Sequence, residues 1–100
     1  MTDARHLIRA GTPRKKSLGI LTGMNRLHFD QWLLEPGAGR DHGAEDREGF
    51  VYVLEGQASV EDKDDRVNLA SGDFLGIQGV VTVSNHTEAQ VRLLVGGEIP

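Results

Sequence analysis

The groups in this chain that could do chemistry near neutral pH are its four histidines and a dense run of carboxylates. The run surrounds His42, in Asp41-His42-Gly43-Ala44-Glu45-Asp46-Arg47-Glu48. An imidazole beside a buried carboxylate can act as a general acid or base. The same cluster on a loop more often only holds water, and that ordinary reading stands beside the chemical one. Other chemistries find little support. There is no cysteine, which excludes disulfides, cysteinyl zinc sites and a thiol nucleophile. Ser17, Ser59, Ser71 and Ser84 have no nucleophile-elbow context. The glycines are scattered at turns rather than grouped before a helix, so no phosphate cradle is expected.

The elements that must position His42 read as short strands. The candidates are Leu18–Thr22, Arg26–Leu34, Gly49–Leu54, Ala58–Lys63, Arg66–Leu69, Phe74–Ile77, Val80–Ser84 and Gln90–Val95. Breakers separate them, among them Pro36-Gly37, Glu55-Gly56, Ser71-Gly72-Asp73 and Gly79. Val60 to Val67 reads as a hairpin with an acidic tip at Asp64-Asp65. Only Thr2–Ala10 offers a short helix, which is marginal unless something packs on it. Along Arg26–Leu34, alternation puts His28, Asp30, Trp32 and Leu34 on one face and Leu27, Phe29, Gln31 and Leu33 on the other. If the first face points inward, His28 and Trp32 form a pocket wall; if outward, they suit a dimer interface. Phe50 and Tyr52 likewise alternate with Val51 and Val53.

With 100 residues and ordinary hydrophobic content, the chain reads as one globular domain, residues 17–100, preceded by a basic arm, residues 1–16. The arm carries five basic residues against Asp3, a charge of +4, while the remainder carries six basic and fourteen acidic residues, a charge of −8. An acidic body argues against nucleic-acid binding. The arm is expected to be solvated or to dock on an acidic neighbour, which makes a homodimer the expected assembly. No segment has the length of apolar residues that a membrane helix needs, and the N-terminus lacks a signal-peptide core, so no membrane partner and a cytoplasmic location are expected.

Pro36-Gly37, His42, Tyr52-Val53-Leu54-Glu55-Gly56, Gly72-Asp73, Gly79 and Asn85 fall in an order and spacing that resembles the two motifs of the cupin superfamily, over about residues 17–97. The resemblance implies an all-β fold, a small cupin-type β-barrel or double-stranded jelly roll. It also implies a metal site of three histidines and a glutamate, suited to manganese, iron, nickel or zinc. His42 matches the first histidine. Ala44 stands at the second, Gly49 at the glutamate, and Val81 or Thr82 at the third histidine; Gln78 replaces the turn proline. One of four ligands remains, so no cofactor is expected. A displaced metal site would draw on His42 with Glu45 or Glu48. Glu48 is one residue from the family position and would need a bulge at Gly49 to face inward.

Three functions follow from the resemblance. The leading one is a metal-free cupin that binds a small molecule at the barrel mouth, with His42, Gln78, His28 and Trp32 as candidate contacts. The second is a dioxygenase, isomerase or lyase with a displaced metal or with His42 as general base. The third is a structural or regulatory dimerisation domain whose barrel is filled by side chains.

Overall fold

The computed structural model describes residues 6–8 and 27–98. They form seven strands: β1 (His6–Ile8), β2 (Leu27–Leu34), β3 (Gly39–Glu55), β4 (Gln57–Glu61), β5 (Arg66–Ala70), β6 (Phe74–Ser84) and β7 (Val91–Glu98). All pairings are antiparallel, in the order β2-β7-β3-β6-β4-β5, with β1 on β6. Among the described residues no helix is long and apolar enough to cross a membrane.

Two long strands make the barrel. The first half of β3 (39–44) pairs with the second half of β6 (79–84), which carries the β4–β5 hairpin on its other edge. The second half of β3 (49–55) pairs with the first half of β6 and with β7, which in turn pairs with β2. The change of register comes between Ala44 and Glu48, where β3 has three more residues than β6. Asp46 (φ 63°) and Gly43 (φ 110°) lie in or beside this bulge, and Gly79 (φ 84°) faces Ala44 across it. An asymmetric insertion of this kind bends the bulged strand and steepens its twist, which carries both strands round the corner from one side of the barrel to the other.

Alternation sorts the side chains. Trp32 and Leu34, Val51 and Val53, Leu75 and Ile77, and Val91, Leu93 and Val95 point inward into one apolar cluster with Val60, Leu69, Val81 and Val83. The opposite face of β3 and β6 holds Phe50 and Phe74, stacked at 5.5 Å, with Leu27, Tyr52 and Leu94 packed around them. The pair Val51/Val53 therefore lines the barrel and Phe50/Tyr52 covers its outside. On β2 the Trp32/Leu34 face is the inward one, and Phe29 and Leu33 on the other face are each 53% exposed.

Asn85 closes one end. It is fully buried, and its Nδ2 donates to the carbonyls of Leu34 (2.9 Å) and Ala89 (2.8 Å). Its Oδ1 accepts from the backbone and hydroxyl of Thr87, and its backbone bonds Gly37 and Ala38. The Pro36-Gly37 turn and the 85–89 loop are thus joined by one side chain whose polar atoms are all satisfied, as burial requires.

Several expectations change. Residues 6–8 are a strand on β6 rather than part of a helix over Thr2–Ala10. The edge of β6 offers ladder hydrogen bonds that a short isolated helix cannot match; the rest of that segment, and the Leu18–Thr22 strand, lie outside the described residues. The acidic stretch around His42 is strand, not loop, because β3 starts at Gly39. Phe74–Ile77 and Val80–Ser84 are one strand, with Gly79 bending it instead of ending it. The hairpin at Val60/Val67 is as expected, and its tip is capped by Asp62 Oδ1, which accepts from the backbone of Asp64 and Asp65 at 2.9 Å each.

Candidate functional site

His42 sits on β3 just before the bulge, 9% exposed. Its Nε2 lies 3.0 Å from the Gly96 carbonyl oxygen. A carbonyl can only accept, so the neutral ring carries its proton on Nε2 and a lone pair on Nδ1. Burial pushes the imidazole pKa below its ordinary value, and hydrogen bonding to the backbone of Gly96 and Phe50 opposes this only in part. The nearby charges of His28 and Asp30 are smaller effects of opposite sign. At neutral pH His42 is therefore an uncharged ring. Trp32 meets it edge-on, with centroids 5.4 Å apart and planes at 83°, and the Arg40 guanidinium lies 4.3 Å over the indole. Trp32 is the wall behind the histidine, held from outside by Arg40.

In front of His42 the barrel opens into a cavity of about 250 Å³. His28, Asp41, His42, Arg47, Glu48 and Glu98 are among the residues that surround it. The remaining wall is backbone: Gly43, Gly49, Gly96 and Gly97, with Ala44. The glycines let β7 lie close on β3 and β2. A Cβ on Gly96 would collide with the His28 carbonyl and stand 2.7 Å from the Phe50 ring. A Cβ on Gly49 would fall 3.6 Å from His42 Nε2 but only 2.8 Å from the Gly96 oxygen.

Gly49 and Val81, which stand at two of the metal-ligand positions, do converge on His42. Val81 is its direct partner across β3 and β6, buried among the core side chains, and Gly49 adjoins its Nε2. Neither can bind a metal. The Gly49 position also has no room for a carboxylate arm beside the Gly96 carbonyl, and His42 Nε2 is already engaged by that carbonyl. Among the described residues no group of three or more histidine, aspartate or glutamate side chains is placed to hold a metal ion. The residues present do not fit the metal of the fold family.

The other candidates divide. His28 lines the cavity; Glu48 is also among the residues around it, but the irregularity is at residues 45–47 and not at Gly49, so its side chain shares the face of exposed Gln78, opposite to Gly49 and His42. Glu45 is exposed in the bulge and does not line the cavity. Gln78 is exposed, pairs with Glu48 across the strands and also lies off the cavity lining. Trp32 touches His42 rather than the cavity. Asp41, one of the carboxylates weighed beside His42, instead accepts from the Thr82 hydroxyl; Arg47 and Glu98 were missed. Strand register alone sets Glu98 beside Gly49 and Glu48, and only a known bulge would have placed Arg47.

A larger hollow, about 340 Å³, lies against the β4–β5 hairpin and His86 and Thr87. Three of its polar side chains already satisfy one another. Ser59 Oγ donates to Asn68 Oδ1 at 2.9 Å, and Arg66 Nη2 donates to Ser59 Oγ at 3.2 Å. The barrel mouth, with a buried imidazole at its floor, is the stronger candidate despite its smaller volume.

No protein-family model matches the sequence, and no curated protein matches it. Solved structures do match. One is the cupin-2 domain of an XRE-family transcriptional regulator from Enterobacter cloacae, at 15% identity and TM-score 0.67, covering 98% of this chain and 99% of that one. Another is a sugar phosphate isomerase of the cupin superfamily from Silicibacter pomeroyi, at 24% identity and TM-score 0.65, covering 97% of this chain and 60% of that one. A third is a de novo designed double-stranded β-helix, at 13% identity and TM-score 0.63, covering 71% of this chain and 99% of that one. The bent strand pair, the apolar core between its two sides and these likenesses agree: the chain has the cupin-type, double-stranded β-helix fold.

Proposed function

We propose that this chain is a cupin-fold module that binds a small polar organic molecule at the barrel mouth without a metal. The observation that carries this reading is the cavity itself. It is open to solvent, ends on a buried neutral histidine, and lies where the fold family holds its metal, yet the ligand positions around His42 carry no ligating side chains. A site without metal-ligating side chains keeps shape and hydrogen-bonding capacity, which is what binding needs. We also propose that the chain pairs with a second copy through the outer face of β2, β7 and β3, which is supported by Phe29 and Leu33 standing half exposed beside the Phe50–Phe74 stack.

The test is a panel of sugars, polyols, hydroxy acids and amino acids followed through the imidazole NMR resonances of His42. Manganese, iron(II), nickel and zinc are added separately to chelated protein in a thermal-shift assay. A member of the panel should move the His42 signals, and the amide shifts it causes at Gly49 and Gly96 should be lost in His42→Ala, while the metals leave the melting temperature unchanged. If a metal binds at one equivalent per chain and depends on His42, the proposal fails and the enzyme reading takes its place.

A further inference from the structure

The outer face of β2, β7 and β3 carries its charges at its two ends. Residues opposite one another across paired strands share a face, so the outward side chains fall into rows that cross the strands. The first row holds Leu27, Glu98, Glu48 and Gln78. Within it Glu98 Oε1 accepts from the Glu48 backbone at 3.3 Å. The second row runs from Phe29 through Gly96 to Phe50, and the third from Gln31 through Leu94 and Tyr52 to Phe74. The last holds Leu33, Arg92 and Glu55, with Leu54 in the bulge beside them. Two mainly apolar rows therefore lie between an end with two carboxylates and an end with one guanidinium and one carboxylate. Arg92 and Glu55 are cross-strand neighbours with no ion pair between them. Arg92 and Glu98 stand near opposite ends of β7 (Val91–Glu98), about 20 Å of strand apart.

That distribution decides how a second copy can sit. Two identical faces pack about a two-fold axis. The apolar band runs across the strands, so two copies cover it along its length only with their strands aligned, one of the two common ways sheet faces pack. The axis then runs either along the strands, which sets like ends together, or across them, which sets opposite ends together. Like ends would bring Glu48 and Glu98 of both copies against one another, four carboxylates at one edge of an apolar interface. With the axis across the strands, each β7 lies over its counterpart, and Arg92 comes to the partner's Glu98 twice by symmetry. Glu55 then lies towards the partner's Glu48, a like-charge approach that the two Arg92–Glu98 pairs offset. Resting on the pairing reading above, we infer that the second copy docks with its strands running the opposite way, Arg92 of each chain on Glu98 of the other. The axis passes between the second and third rows, which puts Phe29 beside it.

The experiment follows the mass of the full chain by light scattering over a dilution series. Glu98→Lys should raise the dimer dissociation constant about tenfold or more, because two attractions become two repulsions. Arg92→Glu placed in the same chain as Glu98→Lys exchanges the signs of the pair and should bring the constant back to within about threefold of wild type. Both positions lie outside the core, and an unchanged β-sheet circular dichroism spectrum would verify that the variants fold. The chain has no cysteine, so introduced thiols report the geometry directly. A short thiol-to-thiol crosslinker should join a mixture of Arg92→Cys and Glu98→Cys chains far more than either chain alone. If Glu98→Lys tightens the dimer, if the double variant stays as weak as Glu98→Lys, or if each cysteine chain links to itself rather than to the other, the inference falls and the pairing reading stands. A wild-type chain that is monomeric at micromolar concentration overturns both.

Discussion

His42 is held neutral by burial, and this ties the stability of the fold to pH. Its folded pKa lies below the unfolded value of about 6.5, so below that pH the unfolded chain binds the proton more readily. The contribution is therefore fully present above about pH 6.5 and is lost as pH falls through that value towards the folded pKa. Denaturant titrations of wild type and His42→Gln between pH 5 and 8 should show wild type losing stability more steeply on the acid side. Parallel curves would mean that His42 does not titrate with folding. The importance of His42 was legible in the sequence, because a histidine after a Pro-Gly turn and before an aromatic strand is a recognisable arrangement. What could not be read was its engagement with Gly96, which is 54 residues away and reaches it only through the β3–β7 register. The same holds for Arg47, whose direction is set by a bulge and not by alternation.

Among the elements, β3 and β6 decide the architecture, and their glycines do two different jobs. Gly79 has a positive φ of 84° with nothing near the place of a Cβ, so an alanine there meets only backbone strain. Gly79→Ala should cost about 1–2 kcal/mol. Gly96 is in a crowded row between Phe29 on β2 and Phe50 on β3, and its missing Cβ lets the three strands close. Gly96→Ala must push backbone apart and should cost more than about 3 kcal/mol, beyond the ordinary overpacking range. Thermal melts of the two variants would check the order, at roughly 4–8 °C per kcal/mol for a chain of this size. Equal losses would mean that the close approach of β7 is not needed. The strand pattern of the second half of the chain was readable from alternation and turn residues. The unbroken length of β3 was not, because Gly43, Asp46 and Gly49 look like loop residues until their place in a bulge is known.

For the whole molecule, the question is what covers the outer face of β2, β7 and β3. Phe29 packs edge-on against Phe50 at 5.5 Å yet remains half exposed, and Leu33 and Leu54 extend the apolar surface. Light scattering behind size exclusion should give twice the chain mass for wild type. Phe29→Glu should shift it to the monomer, since a charge at the centre of a small apolar interface costs about 2 kcal/mol or more. A wild-type monomer at micromolar concentration would remove the pairing proposal without touching the barrel-mouth site, which opens elsewhere on the fold. The sequence offered the His28/Trp32 face of β2, not this one, as a pairing surface, because alternation separates the faces of a strand without saying which is inside. Packing against β7 and β3 settles it.

The chain has a single tryptophan, and it is the residue that meets His42 edge-on. A neutral imidazole is a poor quencher of indole emission and an imidazolium a good one, so the protonation state of the cavity floor is written into the intrinsic fluorescence. Excited at the red edge of its absorption, where the one tyrosine and three phenylalanines hardly absorb, this indole is the source of the signal. Any molecule that settles on the ring, and any acid that reaches it, would be visible in a cuvette, without a label.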